Sequence, residues 1–281
     1  MIQVRDLTFS YTKKPFIENV AFSVGSGEIF GFLGPSGAGK STLQKILTGL
    51  LSRYGGSVTI DGEEAGRHGD GFYRKIGVDF EFPSLYEKLT GRENLKFFAS
   101  LYPAHREIDA LMESVGLLHD AEKKVGDYSK GMKSRLNFIK ALLHDPMILF
   151  LDEPTSGLDP SNARVMKDII LSEKAQGKTI ILTTHNMYDA TELCDRVAFI
   201  VDGQIKALDS PHSLIMSRGA GKIGYSYLEN GREVSAEVPL DQTAGDATLL
   251  ALLRENRVCS IHSGEPTLND IFVELTGRQL Q

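Results

Sequence analysis

Apolar and polar positions alternate from Ile2 to about Val24, with a break at Thr12-Lys13-Lys14-Pro15. Period two predicts antiparallel strands joined by a loop. The run Ile29-Phe30-Gly31-Phe32-Leu33 is short and wholly apolar, which predicts a buried strand. A helix-compatible stretch follows over 41–51. Ser57-Val58-Thr59-Ile60 ahead of Asp61-Gly62 predicts a strand closed by a tight turn. Between 83 and about 145 the period becomes helical: Leu95, Phe98, Ala99 and Tyr102 share one face, as do Leu111, Val115 and Leu118. Met147-Ile148-Leu149-Phe150-Leu151 is again continuously apolar and ends in Asp152-Glu153-Pro154, as a buried parallel strand would. A helix over 162–174, a strand over 179–183, a helix over 187–194 and a strand over 197–201 then alternate, the pattern of an α/β domain.

The pattern changes between Asp209-Ser210-Pro211 and Gly219-Ala220-Gly221. Beyond it, alternating runs over 222–228 and 233–238 flank Glu229-Asn230-Gly231-Arg232, and Asn-Gly between two such runs predicts a hairpin. A helix over 247–255, a strand over 258–262 and a helix over 268–275 complete a small α+β unit. The expected organisation is one domain over 1–210, with a helical part at about 83–145, and an extension over 211–281.

Composition narrows the possibilities. Of 281 residues, 41% are hydrophobic and 24% charged, ordinary for a soluble globular protein. The net charge of −6 gives no support to nucleic-acid binding, so any anionic ligand must be held by local loops. The two cysteines, Cys194 and Cys259, form no disulfide framework or metal cluster, and a reducing, cytoplasmic setting is expected. The seven histidines include no H-x-x-x-H pair, so no zinc site is expected. The opening Met1-Ile2-Gln3-Val4-Arg5-Asp6 lacks a signal-peptide pattern. No apolar stretch reaches the roughly 20 residues that span a bilayer, so a membrane role would need a partner.

The chemistry concentrates in Gly34-Pro35-Ser36-Gly37-Ala38-Gly39-Lys40-Ser41-Thr42, which satisfies G-x-x-x-x-G-K-[ST] between a predicted strand and a predicted helix. Glycines let backbone N–H groups approach phosphate oxygens, and the helix N-terminus adds partial positive charge. Lys40 is expected to reach the β- and γ-phosphates and the Ser41 hydroxyl to hold Mg²⁺. A second motif, Ile148-Leu149-Phe150-Leu151-Asp152-Glu153, ends a buried strand in adjacent carboxylates. Asp152 is expected to fix Mg²⁺ and Glu153 to act as general base toward water.

With these motifs in this order, the chain resembles the nucleotide-binding subunit of an ABC (ATP-binding cassette) transporter over about residues 1–210. The resemblance implies an α/β fold: a P-loop NTPase core of ABC ATPase type with an antiparallel β subdomain and a helical subdomain. Three further matches carry it. Ser156-Gly157-Leu158-Asp159 resembles the D-loop. His185 matches the switch histidine that contacts the γ-phosphate. Tyr128-Ser129-Lys130-Gly131-Met132 stands at the signature position. Tyr11 lies where the family places an aromatic on adenine, with Phe9 and Phe16 as alternatives.

Two departures stand out. Near the strand Ile76-Gly77-Val78-Asp79-Phe80 the family usually carries a glutamine, but this chain has none between Gln44 and Gln176, and register puts Glu81 there. A glutamate can still ligate Mg²⁺, yet it adds negative charge beside the γ-phosphate and loses a donor, so altered coupling or slower hydrolysis is expected; a plain surface acid is the other reading. The usual L-S-G-G-Q signature reads Tyr128-Ser129-Lys130-Gly131-Met132. Ser129 and Gly131 can still serve a partner's γ-phosphate, while Lys130 either adds a cation there or points to solvent. The Y-S-K-G-M form, and the final stretch from Pro266 through Thr267-Leu268-Asn269-Asp270-Ile271-Phe272 to Arg278, are similar to those of the drug- and antibiotic-exporting branch.

The resemblance implies an ATPase that uses ATP and Mg²⁺, works as a head-to-tail dimer (expected to be a homodimer) and drives an integral-membrane permease from the inner face of the cell membrane. Ser129 and Gly131 of one copy would close over ATP held by the other, without nucleic acid. The segment 83–145, with Glu81 at its hinge, would meet a cytoplasmic helix of the permease. An importer ATPase and a soluble ABC ATPase are the rival readings. The single phosphate loop, the lack of heptads and the lack of a basic patch weigh against the soluble one. The extension is open to two readings, a dimer contact or a regulatory brake.

Overall fold

The continuously apolar runs form the middle strands of a parallel sheet. In the computed structural model, which describes residues 2–69, 71–217, 221–229, 231–264 and 266–277, contacts divide the chain into Met1–Leu208 and Asp209–Gln279. The first unit begins with β1 (Ile2–Phe9), β2 (Ile17–Val24), β3 (Ile29–Leu33), α1 (Lys40–Leu47), β4 (Gly55–Ile60), β5 (Glu63–Glu64), α2 (Phe72–Lys75) and β6 (Ile76–Asp79). Helices α3 (Gly91–Ala99), α4 (Ile108–Ser114) and α5 (Lys130–Leu142) follow. The unit closes with β7 (Ile148–Asp152), α6 (Pro160–Ala175), β8 (Thr179–Thr184), α7 (Met187–Leu193), β9 (Arg196–Val201) and β10 (Gln204–Asp209).

Two sheets share its core. One has the order β2-β1-β4-β5 and antiparallel pairing, as the alternation at the start of the chain predicts. The other has the order β10-β9-β3-β8-β7-β6, with β9, β3, β8, β7 and β6 parallel. Every residue of β3, β7 and β8 is buried, which is why β3 and the body of β7 read as unbroken apolar runs. Phe22, Phe30 and Phe32 stack and edge together with centroids 5.2–5.4 Å apart, and α1 adds Leu43, Ile46 and Leu47 to the same cluster. Each such side chain contributes about 1.5–3 kcal/mol by leaving water.

Caps set the helix ends more sharply than periodicity does. Helix α1 stops at Leu47, short of the predicted 51, because the Gly49 N–H turns back to Ile46 and that of Leu51 to Lys45, both at 3.0 Å. The predicted helical region 83–145 is broken: residues 83–90 form a loop. Helix α3 then begins at a capping box in which Thr90 accepts from Glu93 N–H and the Glu93 carboxylate accepts from Thr90 N–H. Helix α6 starts two residues earlier than periodicity predicts, since Asp159 caps it and Pro160 fits its first turn.

The second unit holds α8 (Pro211–Met216), β11 (Lys222–Glu229), β12 (Arg232–Pro239), α9 (Ala247–Arg254), β13 (Val258–Ser263) and α10 (Leu268–Thr276). Its sheet has the order β12-β11-β13, antiparallel throughout, and its core is Tyr225, Val238, Leu249 and Leu252. The expected hairpin is the β11–β12 pair; its Asn230 lies outside the described residues, as do Gly219 and Ala220 of the predicted boundary and Arg278 of the terminal motif.

Candidate active site

The phosphate loop sits where the parallel strands end. It leaves β3 at Leu33 and enters α1 at Lys40, with Gly39 as the cap residue at φ 114°. That conformation is strained for any side chain, and a Cβ on Gly39 would also fall 2.7 Å from Ile17 Cδ1. At Gly34 a Cβ would lie 2.1 Å from the Ile200 carbonyl oxygen, so the loop threads against β9 only as glycine. Lys40 Nζ donates to the carbonyls of Gly34 at 2.7 Å and Pro35 at 3.2 Å. Burial pushes the Lys40 ammonium below its ordinary range, while the carboxylates of Glu153, Asp152 and Glu81 oppose that shift. Three acids thus face one buried cation.

They line a cleft of about 280 Å³ whose wall includes Phe16, Ser36, Gly37, Gly39, Lys40, Ser41, Thr42, Glu81, Asp152, Glu153, Ser156 and His185. Strand register brings the acids in. Asp152 pairs with Thr183 across β7 and β8, and the Thr183 hydroxyl donates to its carboxylate. Glu153, at φ 52°, steps out of the strand in the left-handed region that non-glycine residues seldom adopt. Its N–H donates to Thr183 O at 2.9 Å, its Oε2 accepts from the Thr184 hydroxyl at 3.1 Å, and its Oε1 lies 2.8 Å from His185 Nδ1. The pair Thr183-Thr184, polar at the end of an apolar strand, thereby holds both acids. Two threonines closing the apolar run Ile180-Ile181-Leu182 are the sequence signal of this support.

The sequence-predicted residues fall into two groups. Lys40, Ser41, Thr42, Glu81, Asp152, Glu153 and His185 come together in the cleft. Ser129 and Gly131 do not line it. Ser129 caps α5, accepting from Met132 N–H at 3.2 Å, and Gly131 lies against the D-loop, where a Cβ would be 3.3 Å from Leu158 Cδ2. Lys130 also packs on the D-loop, its Nζ 3.5 Å from a Cβ built on Gly157. Of the aromatics, Phe9 is buried, Phe16 lines the cleft, and Tyr11 is exposed with its hydroxyl 3.0 Å from Thr42 Oγ1.

A neighbouring cavity of about 250 Å³ shares Glu81, Asp152, Glu153 and Ser156 and reaches Asp79, Asn137 and Lys130. Burial pushes the Asp79 carboxyl up to about 7, against the pull of Lys140 and of the Asn137 amide that donates to it. The Asn137 amide also donates to Phe80 O at 3.1 Å. The signature helix α5 is thereby tied to the segment that carries Glu81, a link between residues 58 apart in the chain.

Among the described residues no three His, Cys, Asp or Glu side chains converge as a ready metal cage. A cation bound here would be shared with nucleotide phosphates, as Mg²⁺ commonly is. The oxygen donors of Ser41, Asp152 and Glu81 in one cleft suit such a cation.

Comparison with known proteins agrees with this geometry. A family profile described as "ABC transporter" matches residues 17–156. The chain is 54% identical to the fluoroquinolones export ATP-binding protein of Mycobacterium tuberculosis (strain CDC 1551), over all of this chain and 94% of that protein. It is 35% identical to the Nod factor export ATP-binding protein I of Rhizobium sp. (strain N33), over 97% of this chain and 95% of that protein. A solved ATP-binding subunit of an ABC transporter superposes with a TM-score of 0.72 at 30% identity, over 78% of this chain and 93% of the other. The chain belongs to the ABC transporter family, as an ATP-binding and ATP-hydrolysing subunit of the export type.

Proposed function

We propose that this chain holds ATP with its phosphate loop and hydrolyses it with Glu153 as general base and His185 as its partner, in a head-to-tail dimer that drives an integral-membrane permease. The observation that carries this reading is the Glu153–His185 contact of 2.8 Å at the mouth of the phosphate-loop cleft. A carboxylate so placed can take the proton of an attacking water, while the imidazole fixes its orientation and contacts the γ-phosphate. Lys40 and the loop N–H groups hold the β- and γ-phosphates. Tyr11, with Phe16 beside it (ring centroids 5.6 Å apart), offers an aromatic surface to the adenine.

Ser41, Asp152 and Glu81 would hold Mg²⁺, which supplies charge neutralisation on the phosphates. Glu81 makes this site more acidic than a glutamine would, and we assign it slower hydrolysis or altered coupling. The exposure of Ser129, away from its own cleft, supports a role at the cleft of a second copy.

No described helix is long and apolar enough to cross a membrane. The path for cargo would lie in the permease, with this chain peripheral on the inner face of the membrane. The name of the 54% identical relative makes a fluoroquinolone the first cargo to assay. Purification of the tagged chain from detergent-solubilised membranes tests the reading. A stoichiometric multi-span partner is the expected result, and recovery without any membrane protein in the presence of ATP would contradict it.

A further inference from the structure

Asp189 lies on the inner face of α7, only 7% exposed, and does not line the phosphate-loop cleft. Its Oδ2 accepts from the Thr155 hydroxyl at 2.6 Å and from the Asn186 side-chain amide at 3.1 Å. Its Oδ1 faces Lys167 Nζ of α6 at 3.3 Å. Thr155 stands two residues beyond Glu153, and Asn186 directly follows His185. Asn186 also donates its backbone N–H at 3.0 Å to the Thr184 hydroxyl that contacts Glu153. One buried carboxylate therefore joins the two loops that bear the acid and the histidine.

Helix α7 does not need it as a cap. The Asn186 side chain already accepts from the N–H groups of Tyr188 at 3.0 Å and Asp189 at 3.3 Å. Nor is a buried ion pair a cheap way to stabilise a helix face, since an apolar side chain of like volume often does as well or better. What the carboxylate does supply is directional: it fixes two polar groups on separate loops at set distances.

We propose that Asp189 is a positioning residue for hydrolysis, holding the Glu153 loop and the His185 loop in register through Thr155 and Asn186. The inference rests on the roles proposed for Glu153 and His185. Misplacement of a catalytic pair by about 1 Å costs roughly a hundredfold in rate.

The test compares ATP turnover, KM for ATP with magnesium and thermal midpoint across variants of the full chain, with Glu153→Gln alongside. Asp189→Leu should lower kcat by roughly 10–100-fold while KM stays within about threefold. Asp189→Asn keeps an acceptor for Thr155 and should recover most of the turnover. Thr155→Val approaches the same contact from the other side, and reports on it even if Asp189→Leu fails to fold. The double variant should be no slower than the worse single one. Wild-type kcat in Asp189→Leu or Thr155→Val beside an inactive Glu153→Gln overturns the positioning role alone. Additive losses, or a loss that tracks the thermal midpoint and is not recovered by Asp189→Asn, overturn it as well. Normal turnover in Glu153→Gln overturns the Glu153 reading and this inference with it.

Discussion

Glu153 and His185 meet because two neighbouring strands end together: Asp152 pairs with Thr183, and the next residues on each strand lead into the cleft. At this scale the cleft opposes one buried cation, Lys40, to Asp152, Glu153 and Glu81. Lys40→Ala should weaken ATP binding roughly 10–100-fold, since a charged hydrogen bond is worth about 1.5–3 kcal/mol. Equilibrium binding of a fluorescent ATP analogue checks this, and unchanged affinity would count against the phosphate-loop reading. Glu81→Gln removes one carboxylate from the metal's proposed donors. The variant should need more Mg²⁺ for half-maximal turnover, about threefold or more. A magnesium titration at saturating ATP reads it, and an unaltered midpoint would return Glu81 to the role of a surface acid. The contiguous motifs at 34–42 and 148–153 were legible as chemistry because each carries its own strand and turn context. The Thr155–Asp189 contact was not, because its partners lie 34 positions apart and neither belongs to a motif.

Among elements, the buried strands were the most legible. Strands β3, β7 and β8 are covered on both faces, so their composition leaves little choice. Strand β10 was missed: at the sheet edge, and with no residue fully buried, it shows no apolar run. Helix α8 was missed because six residues are too few to show a period, though its Ser210 cap and Pro211 were readable signals. The turn between α5 and β7 carries a testable ion pair. Asp145 pairs with Lys178, which is buried and also bonded to Glu173. The bond from Lys178 holds the Asp145 carboxyl below its ordinary range. A carboxylate with a depressed folded-state pKa stabilises above its unfolded value, about 3.9, and that contribution fades as pH falls through the folded value. Asp145→Asn suits the left-handed backbone there (φ 52°) and should cost no more than about 1 kcal/mol at neutral pH, given Asp145's exposure. The gap to wild type should close below about pH 4 in urea melts. A gap that widens on acidification would contradict the assignment.

Across the whole molecule, the resemblance of residues 1–210 to an ABC ATPase foretold the fold and the family, and the similarity to the 54% identical relative extends over the full chain. The location of Ser129 and Gly131 outside their own cleft is a property of one copy. No local pattern could show it, because their proposed ligand sits on another chain. ATP would then act as the bond between two copies, and hydrolysis would release it, which turns phosphate contacts into domain motion. That cycle depends on one group. The measurement that tests it most directly is ATP affinity and turnover of Glu153→Gln against wild type under saturating Mg²⁺. Retained ATP binding with turnover lowered by about 10²–10⁴-fold is the predicted result; turnover equal to wild type would contradict the account.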